Sequence, residues 1–95
     1  MHAQLFRKRV EDFAQQYCQP HMRCYRIEWD LEPDRPRAMV RCEDYQAISW
    51  DIPMQVAAGD PEKVLIPLAS GEGLEASKEG FFRFIWHNSR YLTHG

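Results

Sequence analysis

Apolar and polar residues alternate with a period of two over residues 47–57. Ile48, Trp50, Ile52, Met54 and Val56 occupy one set of positions, and Ser49, Asp51, Pro53 and Gln55 the other. That is the signature of a strand with one buried and one solvated face. Residues 24–31 repeat the pattern, with Tyr25, Ile27, Trp29 and Leu31 against Arg26, Glu28 and Asp30. Residues 32–37, Glu-Pro-Asp-Arg-Pro-Arg, carry two prolines and an aspartate and predict a turn. Ala38, Val40 and Cys42 then alternate with Met39, Arg41 and Glu43 as the return arm of a hairpin, whose outward face reads as a ladder of mixed charge. Pro53 cannot donate a ladder hydrogen bond, so the strand around it is expected to lie at an edge, to bulge, or to stop at Ile52. Val64, Ile66 and Leu68 fit either a strand or a helix opened by Asp60, Pro61 and Glu62. Pro67 favours a short edge strand.

At the two ends of the chain the period changes to that of a helix. Leu5, Phe6, Val10, Phe13 and Tyr17 mark an amphipathic helix over residues 3–18, ended by Pro20. After the connection Ser-Gly-Glu-Gly at 70–73, a second helical face runs through Leu74, Phe81, Phe82, Ile85 and Leu92. Phe84 and Tyr91 widen it on one side and Trp86 on the other. Gly80 inside it costs about 1 kcal/mol of helix propensity against alanine. The expected architecture is a two-layer α+β sandwich in a single small domain over residues 1–95: an N-terminal helix, an antiparallel sheet of three to four strands, and a C-terminal helix, with both helices on one sheet face.

Composition narrows the function more than it identifies it. With 44% hydrophobic and 13% aromatic residues the chain has enough apolar side chain for a packed core, which argues against disorder. Its 12 basic and 14 acidic residues leave a net charge of −2, so no global field recruits nucleic acid or anionic membrane. There is no apolar run long enough to span a membrane and no signal-peptide pattern, so the expected location is cytoplasmic. Cys18, Cys24 and Cys42 are then expected to be reduced thiols.

The chemistry-bearing features are few. Phe81, Phe82, Phe84, Trp86 and Tyr91 crowd more aromatic arc onto the C-terminal helix than a helix lying on a sheet buries, and the surplus would form an apolar patch. Arg83, His87, Arg90 and His94 follow at helical spacing as a basic stripe beside it. These features predict a small non-enzymatic protein–protein interaction module, such as a regulator, adaptor, inhibitor or immunity-type protein. Its contact residues would be Phe82, Arg83, Trp86, His87, Arg90 and Tyr91, and its partner another protein or, equally, a second copy of the chain as a homodimer.

The order helix, three strands, helix, with Ser77, Lys78, Glu79 and Gly80 opening the second helix, resembles double-stranded RNA-binding domains. The resemblance implies phosphate contacts, here from Arg7, Lys8 and Arg9 and from Arg83 and Arg90. Those domains carry a lysine cluster where this chain has Lys78 followed by Glu79, so nucleic acid is the alternative rather than the first reading. A second alternative is a metal site from Cys18, His21, Cys24 and Cys42. Their C-x2-H-x2-C spacing is not the paired C-x2-C of structural zinc sites. No phosphate loop, metalloprotease helix or nucleophile elbow is present, and no cofactor is expected. A Cys42 nucleophile with His21 or His87 as base would require the fold to bring them together.

Overall fold

The computed structural model describes the backbone of residues 3–92 and the side chains of residues 3–88. Helix α1, Ala3–Phe13, continues without a break into a π-helical segment, Ala14–Cys18. There the Gln19 N–H donates to the Ala14 carbonyl at 2.8 Å, spanning five residues. Five strands follow: β1 Cys24–Leu31, β2 Pro36–Glu43, β3 Ser49–Val56, β4 Val64–Pro67 and β5 Gly73–Glu75. Helix α2, Lys78–Leu92, completes the order. The strands pair antiparallel in the sequence order β1-β2-β3-β4-β5.

The alternation read from the sequence is the alternation of burial. Ala38, Val40 and Cys42 of β2 are buried together with Trp50, Ile52 and Met54 of β3 and Val64 and Ile66 of β4. Phe6, Val10 and Phe13 of α1 and Phe81 and Phe84 of α2 join them in one core cluster, so both helices cover the same sheet face. α1 lies over β2 and β4, and α2 against β5. β1 is covered less completely: Tyr25, Ile27, Trp29 and Leu31 are only half-buried.

The structure alters several expectations. The sheet has five strands rather than three to four, because the fifth, Gly73–Glu75, is built from residues expected to be a flexible connection and the first turn of a helix. Leu74 therefore enters the core from a strand, pairing with Ile66. Pro36 and Arg37 belong to β2 rather than to the turn; proline is tolerated as the first residue of a strand.

Pro53, expected to put its strand at an edge, to bulge it or to end it at Ile52, instead sits inside the interior strand β3, paired with Met39 of β2 in an unbroken register. β4, expected at an edge, is also interior, with β5 beyond it. The ladder between β3 and β4 comprises only Gln55 with Leu65 and Val56 with Val64. Continuing that register would set Pro53 opposite Pro67, two residues without an N–H. The ladder stops there, and no hydrogen bond is lost to the proline.

The outer sheet face pairs its charges both directly across, Asp30 with Arg37 and Arg41 with Asp51, and diagonally, Glu28 with Arg41. Arg26 stands opposite Arg41 in the register, and the ion pairs run from Arg41 to Glu28 at 2.9 Å and to Asp51 at 3.8 Å. Arg37 meets Asp30 at 2.8 Å, and Arg23 bonds Glu43. Apart from half-buried Glu43 these side chains are substantially exposed, and exposed pairs of this kind contribute about 0–1 kcal/mol each.

Candidate interaction surface

Helix α2 starts where the Ser77 hydroxyl oxygen accepts the Gly80 N–H at 3.2 Å, a side-chain N-cap, while the Phe81 N–H donates to the Ser77 carbonyl at 2.8 Å. Glu79 in the first turn suits the positive end of the helix dipole. The chain passes so close to itself here that a β-carbon on Gly80 would lie 1.9 Å from the Glu75 carbonyl oxygen. Gly80 is therefore required by the approach of the helix to β5, not merely tolerated.

The helix is anchored by Phe81 and Phe84, both buried, with Ile85 half-buried behind them. Phe81 meets Phe13 of α1 edge-on at 6.1 Å between ring centroids. The Asn88 amide donates to the Phe84 carbonyl at 2.8 Å. Rotating about the axis, Phe82 and Trp86 fall one turn apart outside this anchored face. They remain 41% and 69% exposed. Phe82 is steadied from one side by His21, edge-on at 5.0 Å, and by Phe81 at 5.4 Å. His21 is itself oriented by its Nδ1–H, which donates to the Tyr17 carbonyl at 2.9 Å. Arg83 is exposed beside this pair, and His87 is half-buried on the next turn.

Of the six residues expected to form the surface, Phe82, Arg83 and Trp86 thus share the exposed side of α2. His87 is at its margin. Arg90 and Tyr91 lie on the same helix, but their side chains are outside the described residues, and His94 is outside them altogether. Periodicity sets Phe82 on the apolar face and Phe84 at its widened side, and names Phe82 as a contact residue; in the structure Phe84 is buried and Phe82 is 41% exposed. His21, which supports Phe82 from a different element, has no signal in the α2 sequence.

The other candidate constellations are dispersed. Arg7 and Arg9 flank α1 on different sides. The Arg7 guanidinium bonds Glu11 at 3.0 Å and lies 5.3 Å from the Trp29 ring centroid. Arg9 lines a cleft of about 200 Å³ between α1 and strands β4 and β5, together with Asp12, Lys63 and Glu75. That cleft carries both signs of charge.

The candidate metal ligands also diverge. Cys24 is exposed near Glu43, its sulfur 3.9 Å from the carboxylate, whereas Cys18 and Cys42 are buried. No group of three or more potential ligands converges among the described residues. The neighbouring Cys42 thiol, together with burial, pushes the Cys18 thiol far above its ordinary range. The Cys42 thiol donates to the Trp50 carbonyl at 3.7 Å. Cys18 and Cys42 are both packed in the core as small buried side chains. His21 is held on the Tyr17 carbonyl and against the Phe81 and Phe82 rings.

Asp44 organises the turn before β3. Its carboxylate accepts the Gln46 and Ile48 N–H groups, both at 2.9 Å, and the Trp50 indole N–H at 3.1 Å. Partial desolvation pushes the carboxyl up, but the bonds from Ile48, Trp50 and Gln46 together outweigh it and hold the group below the usual carboxylate range.

Among the described residues no helix is long and apolar enough to cross a membrane. No protein-family model, curated protein or solved structure matches this chain.

Proposed function

We propose that this chain acts by binding another protein through the exposed side of α2, with Phe82 and Trp86 as apolar anchors and Arg83 and His87 as their polar margin. The observation that carries this reading is the division of the helix. Phe81 and Phe84 fix it to the core, while two large aromatic side chains one turn apart face outward on a rigid support. Aromatic side chains held by secondary structure lose little conformational freedom on association, which is why they dominate interface energetics. The complementary partner presents an apolar groove that receives one face of a helix, with acidic side chains at its rim opposite Arg83. Arg90 and Tyr91 extend the same helix and, by their spacing, the same contact. The role is that of a regulator, adaptor or inhibitor rather than an enzyme. A reducing, cytoplasmic setting suits a chain whose three thiols are unpaired.

The test compares proteins retained from a cell extract by immobilised wild-type chain and by a Phe82→Ala/Trp86→Ala double variant, followed by calorimetry of the retained protein, once purified, against each. Loss of one anchor should weaken binding by about 2 kcal/mol, roughly thirtyfold. Equal retention by wild type and double variant, with both folded, would refute the assignment of this surface.

A further inference from the structure

We infer that the chain forms a two-fold homodimer by antiparallel pairing of β1 with β1 of a second copy, joining two five-stranded sheets into one of ten. The two edges of the sheet are built differently. β5 is only three residues long and has α2 packed against it, which are common means of protecting an edge. β1 is eight residues long, pairs with β2 without a bulge over its whole length, contains no proline, and has no second strand neighbour among the described residues. Its inner stripe is also the least covered in the sheet, because α1 lies over β2 and β4 and leaves Tyr25, Ile27 and Trp29 half-buried.

Charge selects both the occupant and the register. Antiparallel self-pairing about a two-fold axis must keep each side chain on its own face, so the axis passes through a residue. With the axis at Ile27, Arg26 faces Glu28 of the second copy twice over, and Tyr25 faces Trp29 twice on the inner side. Moving the axis to Arg26 or Glu28 sets that residue against itself, and moving it to Trp29 sets Glu28 against Asp30. Only the Ile27 register pairs seven of the eight β1 residues while placing unlike charges opposite each other and no like ones.

Arg26 is suited to this role. It stands opposite Arg41 within its own sheet, reaches Glu28 of its own strand only at 4.0 Å, and keeps its side chain 73% exposed. The inference does not depend on the α2 surface, since α2 packs against β5, the edge strand opposite β1.

Sedimentation equilibrium of the full chain over a range of concentrations tests this directly. The wild type should reach twice its 11.3 kDa. Arg26→Glu and Glu28→Arg should each weaken the dimer by roughly tenfold or more, as two opposite-charge pairs become two like-charge pairs, and the double swap R26E/E28R should recover it. Trp86→Ala should leave it unchanged. A wild type that stays monomeric throughout overturns the inference, as does a dimer indifferent to Arg26→Glu or one abolished by Trp86→Ala. If a charge variant loses its far-ultraviolet circular dichroism, hydrogen exchange of the wild type decides. Protection of β1 amides that fades on dilution supports the pairing, and protection independent of concentration refutes it.

Discussion

Replacing Gly80 by alanine sets two physical effects against each other. Helix propensity alone says that alanine in α2 should stabilise the protein by about 1 kcal/mol. The structure says the opposite. The new β-carbon would fall 1.9 Å from the Glu75 carbonyl oxygen and 3.1 Å from its carbon, where ordinary contact begins near 3.4 Å. The obstacle is backbone, and the same carbonyl accepts the Ser77 hydroxyl that precedes the helix, so relief requires α2 to withdraw from β5 by more than 1 Å. Such a shift would loosen Phe81 and Leu74 together. Overpacking costs about 1–3 kcal/mol, and a clash with backbone belongs at its upper end, about 2–3 kcal/mol, which outweighs the propensity gain and leaves a net loss of about 1–2 kcal/mol. For a chain of this length that corresponds to a fall in Tm of about 4–15 °C. Thermal melts and urea titrations of wild type and Gly80→Ala measure it. An unchanged or raised Tm would show that helix propensity governs this position and that the close approach to Glu75 is not a constraint.

Other outcomes follow from burial and charge. Phe81→Ala should cost about 3–5 kcal/mol because it opens the core between the two helices, whereas Trp86→Ala should stay within about 0.5 kcal/mol, and comparable losses in urea titration would mean that Trp86 is structural. Asp44 should make stability depend on acid. Its folded pKa is depressed below the ordinary value of about 3.9, so its contribution is complete at neutral pH and is lost as pH falls through the folded value. Asp44→Asn should therefore be less stable than wild type by about 1 kcal/mol at pH 7, with the gap narrowing below about pH 4; a gap independent of pH would contradict the assignment.

What the sequence determined by itself was local periodicity, and it did so most firmly where an element was long. β1 at Cys24–Leu31 and β3 at Ser49–Val56 were legible because eight alternating residues leave no other regular conformation with a continuous apolar face. The two helices were legible for the same reason at a period of 3.6. β5 was not, since three residues are too few to display an alternation, and its strand conformation is supplied by pairing with β4.

Tertiary structure alone decided which side of an over-wide aromatic helix is buried, because that depends on where β5 and α1 place Phe13 relative to Phe81. It alone decided that Gly80 is a contact rather than a weakness, and that the ladder between β3 and β4 ends where Pro53 and Pro67 would meet. The charges of β1 were plain in the sequence, but the direct opposition of Arg26 to Arg41 was not. Register is set by turns and packing between distant residues, and it is register that converts a row of charges into ion pairs, repulsions and a self-complementary edge.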